Sequence, residues 1–168
     1  MTSPEVRARM MRTVSEPAIY GVILVSGLVV IVKAEALWMV LIKVVATLLV
    51  FWFAHVYAFV VAHIGDSVDS SMTTWERLQA AFRHAFARSW GMLLAAIIPV
   101  AVLLLGVLKV LSDKQAVWGT LWISVAVLAV VGWLGVAAWT QVRSRRFLGA
   151  TVTALFGVVL IALKVLVH

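Results

Sequence analysis

The sequence predicts an all-α, polytopic integral membrane protein with five transmembrane helices and one amphipathic helix lying at the membrane interface. Three observations carry that expectation. Apolar residues make up 64% of the 168-residue chain and charged residues only 12%, whereas soluble domains sit near half and a quarter. Five apolar runs approach or exceed the ~20 helical residues that cross a hydrocarbon core. The nine arginines, finally, fall in three clusters that alternate with those runs, while the five lysines fall between them.

The first sixteen residues are polar and basic, with Arg7, Arg9 and Arg12 beside Glu5 and Glu16. Pro17 suits the first turn of a new helix, where its missing N–H costs nothing. The first span is expected over 18–32. A basic start, a short apolar segment and Ala34-Glu35-Ala36 have the layout of a secretory signal peptide with its small-residue cleavage site. The apolar run resumes immediately afterwards, so an uncleaved first transmembrane helix is expected, with a tight turn at Lys33 and Glu35.

The second span, 36–64, is the longest apolar stretch and carries one formal charge, Lys43. A lysine there can run its stem along the helix and bring its ammonium towards the membrane surface. The polar stretch 65–74 ends this helix. Thr73 and Glu76 then have the spacing of a capping box, in which a hydroxyl and a carboxylate satisfy free backbone donors at a helix start. Over 73–89, Trp75, Leu78, Phe82, Ala85, Phe86 and Ser89 recur at helical spacing with arginines on other faces. That is the pattern of an interfacial helix. A third span over 91–110 contains Pro99, which predicts a kink.

Lys109, Asp113 and Lys114 mark the next turn. The fourth span, 116–140, has Trp118 and Trp122 at one end and Trp139 at the other, as an aromatic belt would have them. Arg143, Arg145 and Arg146 lie beyond Thr140, outside the span, which suits lipid anchoring rather than voltage sensing. The fifth span, 147–167, carries Gly149, Thr153 and Gly157 at four-residue spacing, a helix-packing face for a partner in the same chain or in another. Residues 1–16 read as a cytoplasmic segment and 17–168 as one helical membrane domain. Clustered arginines put the N-terminus in the cytoplasm and the C-terminus outside, across an inner or plasma membrane.

Composition narrows function more than it assigns it. No cysteine is present, so disulfides, thiolate metal sites and cysteine nucleophiles are excluded. The net charge of +7 belongs to residues flanking spans and comes with no recognition motif, so nucleic acid is not an expected partner. No phosphate-cradling glycine loop and no paired zinc-hydrolase histidines occur, and an enzyme is not expected. Nor is a metal or cofactor.

Candidate functional residues lie on the second span. At 100° per residue, Leu48, Phe51, Trp52, His55, Phe59, Ala62 and His63 share one side, with Asp66 below them if the helix continues. Thr47 adds a hydroxyl. His55 counts as nine residues, ~13 Å, from the inner end of the span. A polar group that deep faces a bundle interior or a wet path, and a wet imidazole titrates near neutrality. His55 tied by a hydrogen bond to Ser26, Thr151, Thr153 or a carbonyl is the structural alternative. His55, His63, Asp66, Phe51, Phe59 and Thr47 are therefore the pore or polar-relay candidates. Arg77, Arg83, Arg88, Arg143, Arg145 and Arg146 are the expected contacts to anionic headgroups.

The function expected is a small homo-oligomeric channel or transporter for ions, protons or a small solute, its path between copies and lined or gated by the second span. The first alternative is a non-transporting scaffold or accessory subunit docking another membrane protein through Gly149, Thr153 and Gly157. The second is a haem-binding redox bundle, in which a symmetric dimer supplies His55 twice. His55 and His63 stand ~12 Å apart along the axis and cannot share one iron.

Overall fold

A computed structural model of the chain describes residues 4–31, 36–63 and 73–167. Among these the chain forms five helices: α1 (Pro4–Ile31), α2 (Leu37–His63), α3 (Thr74–Val107), α4 (Asp113–Ala137) and α5 (Arg143–Val167). The architecture is that of a helical membrane protein. Helices α2 to α5 are long and apolar enough to cross a bilayer, and the apolar part of α1, Glu16–Ile31, is shorter.

Successive helices run up and down. At one end a Cβ added to Gly106 of α3 would meet Leu37 of α2 and Ala116 of α4. Lys164 near the end of α5 meets Val29 and Val30 of α1 at the same end. At the other end Arg88 of α3 lies 3.7 Å from Glu16 of α1. Arg145 of α5 lines one groove with Ile19 of α1. The arginines at 77–88 and 143–146 thus gather at one end of the bundle, and Lys109, Lys114 and Lys164 at the other.

Helix α1 is the hub and packs against each of the other four. Its Val22, Val25 and Val29 are fully buried, as are Met92 and Leu103 of α3 and Leu121 and Leu128 of α4. Against lipid, which is as apolar as these side chains, burial alone gives little drive; close packing and interhelical hydrogen bonds hold the helices together. Three such bonds are Trp52 Nε1–H to the Ser89 carbonyl at 3.2 Å, Thr120 Oγ1 to Pro99 O at 3.4 Å and Thr153 Oγ1 to Leu128 O at 2.8 Å. Buried Ser26 and Ser124 instead donate to carbonyls four residues back in their own helices, 2.9 and 2.7 Å. This satisfies a hydroxyl without a neighbour.

Local signals set the helix starts. Thr73 and Glu76 close the capping box at α3 in both directions. Ser112 and Gln115 close a second one at α4, four residues before the expected start of that span. Helix α3 ends at Val107 with Leu108 as its C-cap, and Lys109 just beyond takes φ 59°, the left-handed conformation that follows many helices.

Two expectations change. The amphipathic stretch 73–89 and the third span are one uninterrupted helix of 34 residues, about 51 Å long. A separate interfacial helix is therefore not formed. Nothing in Arg88-Ser89-Trp90-Gly91 stops a helix: a glycine costs only ~1 kcal/mol inside one, and Gly91 is buried against the bundle. Pro17 likewise lies inside α1 rather than at a helix start, since one lost backbone bond does not outweigh a fully buried position. The turn at Lys33 and Glu35, and Asp66, lie outside the described residues; of His63 only the backbone is described.

Candidate functional site on helix α2

The buried face of α2 is one ridge at four-residue spacing. Val40, Val44, Leu48, Trp52, Val56 and Val60 are all 7% exposed or less. Trp52 anchors it: its ring packs edge-on against Phe86 at 5.1 Å, near Trp90 at 6.3 Å, while its N–H reaches Ser89. The next ridge along the helix surface is Lys43, Thr47, Phe51, His55, Phe59 and, by register, His63. It contains every polar side chain of α2 except Tyr57 and the tryptophans. Thr47, His55 and Phe59 are half-buried; Lys43 and Phe51 are exposed, Phe51 to 44%.

The side expected from sequence is therefore split. Leu48 and Trp52 turn inward, Phe51 and Ala62 outward, and His55 stands at the seam. Among the hydroxyls considered as its partner, Ser26 and Thr153 donate elsewhere and Thr151 is exposed on α5.

Packing against α3 sets the level of His55 within the bundle. One turn before it, Trp52 is level with Ser89; one turn after it, Phe59 lies 5.8 Å from His84, with the Arg88 guanidinium 5.3 Å over its ring. His55 thus sits near the level of the Arg88–Glu16 pair, where the apolar part of α3 begins. Phe59 packs against His84 and Arg88 of α3.

The arginines divide by partner. Arg88 ties three helices, through Glu16 on α1 and Phe59 on α2. Arg146 donates to the Thr140 carbonyl at 2.9 Å and to Gln141 Oε1 at 2.7 Å, closing the α4–α5 turn. Arg77 is half-buried; Arg83, Arg143 and Arg145 are exposed.

Gly149, Thr153 and Gly157 pack against α4 of the same chain. A Cβ on Gly149 would meet Val136, and one on Gly157 would meet Val125 Cγ2 at 2.8 Å. A Cβ on Gly132 would in turn meet Thr153 and the Gly149 carbonyl. A separate membrane partner would have to use another surface.

Sequence reasoning missed Lys164. It is 7% exposed, and its Nζ donates to the carbonyls of Val29 and Val30 at 3.2 Å each, at the C-terminal end of α1. A cation there meets the negative end of the helix dipole. A lone lysine inside VLIALKVLV was the signal available.

Outside the spans, the fold shifts the titration of Glu76. The Thr73 backbone N–H and hydroxyl, at 2.8 and 2.9 Å, hold its carboxyl below the ordinary value of 4.5. Compared with protein-family models, curated proteins and solved structures, the chain matches none.

Proposed function

We propose that the chain is a small homo-oligomeric channel or transporter for protons, ions or a small solute, with its path between copies along the Lys43–Thr47–Phe51–His55 ridge of α2. The supporting observation is that this polar ridge lies at the margin of the buried face, with Thr47 and His55 half-covered by the chain's own helices. Polar groups turned towards hydrocarbon are costly and belong in a bundle interior or a wet cavity. A second copy laid over this flank encloses them. The ridge runs about 18 Å from Lys43 to His55, with His55 at the mouth on the arginine-bearing end and Phe51 as a constriction one turn in.

The orientation that goes with this reading has the arginine-bearing end in the cytoplasm of a cell with an inner or plasma membrane and the C-terminus outside. The chain has no cysteine, so single cysteines at Ser144 and Lys114 can be probed in intact cells with an impermeant maleimide. Only the second should react.

The functional test is flux from liposomes carrying the wild-type chain, His55→Ala or Thr47→Val. Flux that is present in wild type and reduced in both variants supports the proposal. Wild-type flux of protons, small cations and anions no greater than in empty vesicles removes it. The alternative, a non-transporting accessory subunit, is favoured by the outer face of α5, where Leu155, Phe156 and Val159 are each more than half exposed. It predicts co-purification of a second membrane protein, lost on Phe156→Asn. A Soret band in the purified chain would instead point to haem on His55.

A further inference from the structure

Away from α2, a groove of about 540 Å³ opens between α1, α4 and α5. Ile19 of α1, Val136 of α4 with Trp139 just after it, and Leu148 and Val152 of α5 line it, with exposed Arg145 at its arginine-bearing end. Its inner reach extends to Thr153, eight residues along α5 from Arg145, or about 12 Å. The geometry points to a binding site for one anionic glycerophospholipid, with its phosphate on Arg145 and one acyl chain lying in the groove between α4 and α5.

Three features favour that occupant. The first is division of labour within the arginine triplet. Arg146 is committed to the α4–α5 turn and Arg143 is not part of the groove, whereas Arg145 lines it. Among the described residues no carboxylate is paired with Arg145: Glu16, at this end, is paired with Arg88, Glu76 closes the capping box with Thr73, and Asp113 is at the far end with Lys109. A phosphate supplies the missing charge, and guanidinium recognises phosphate oxygens with paired N–H donors.

The second is the depth profile. Trp139, 61% exposed at the same end, sits where an indole ring meets the headgroup layer. Below it the walls are apolar down to Thr153, whose hydroxyl is already bonded to Leu128 O. That is the gradient of a phospholipid, polar at the mouth and hydrocarbon beneath. The third concerns a second copy as occupant. A copy inserted in the same orientation carries its own arginines at this depth, and would bring like charge to Arg145. Charge complementarity therefore selects lipid over protein.

The test is native mass spectrometry of the full chain in non-ionic detergent, given equal amounts of phosphatidylglycerol or phosphatidylcholine. One phosphatidylglycerol per chain should be retained in preference to phosphatidylcholine. Arg145→Gln should cut that preference about fivefold, the weight of one arginine at an anionic surface, and Arg143→Gln should leave it intact. Val152→Trp fills the groove from a residue that is 47% exposed. It should abolish retention while circular dichroism shows wild-type helix content. Equal retention of both lipids by the wild type, an unchanged preference in Arg145→Gln, or retention by folded Val152→Trp would each overturn the assignment.

Discussion

Replacing Lys164 by methionine should destabilise the bundle by about 2 kcal/mol, and the structure shows where that figure comes from. The last four carbonyls of a helix have no donor within it. In α1, two of these, Val29 and Val30, accept from Lys164 Nζ at 3.2 Å each. Hydrogen bonds to a charged donor contribute ~1.5–3 kcal/mol apiece, and leaving a buried acceptor bare costs ~1–3 kcal/mol. A cation at a partly buried helix C-terminus adds up to ~2 kcal/mol. Against these stands the desolvation of an ammonium, several kcal/mol, which methionine avoids while keeping most of the stem volume. The balance is a loss of roughly 2 kcal/mol. Equilibrium unfolding in mixed anionic and non-ionic micelles, followed by circular dichroism, measures it, and Lys114→Met, at an exposed site near the same end, is the control. Hydrogen exchange should also quicken at the last turn of α1 in Lys164→Met alone. A Lys164→Met chain within ~0.5 kcal/mol of wild type, the range of ordinary surface substitutions, would refute the capping role.

Two further outcomes follow from the same geometry. The folded state lowers the Glu76 carboxyl below its ordinary value of 4.5, so its contribution is fully present above that value and is lost as pH falls through the depressed one. Amide protection at the start of α3 should therefore fall on acidification below pH 4.5 in the wild type, and be low and flat across the same range in Glu76→Ala. Gly132→Ala should cost ~1–3 kcal/mol by overpacking, since its Cβ would lie 2.6 Å from the Gly149 carbonyl and against Thr153. Gly27→Ala meets nothing within 4 Å and should be neutral or stabilising by up to ~1 kcal/mol; unfolding midpoints of the pair, measured side by side, check both.

The chain's own letters determined what depends on one segment at a time. Hydrophobic run length marked out the helices because a bilayer demands ~20 apolar residues whatever lies beside them. Thr73 and Glu76 announced a helix start because a capping box needs only its own four residues. Gly149, Thr153 and Gly157 announced close packing, since small residues at one-turn spacing make a flat helix face.

Tertiary structure decided everything that requires two helices to be set against each other. Whether the α5 stripe meets α4 or another protein depends on topology, and α4 meets it through Gly132. The level of His55 against α3 depends on how far α2 slides past it, which the Trp52–Ser89 bond and the Phe59–His84–Arg88 contacts record and no count along α2 can. The task of Lys164 depends on a carbonyl pair about 135 positions away in the chain. Periodicity and capping are encoded within a few turns, but the level, tilt and partner of a membrane helix are set by packing between surfaces far apart in sequence.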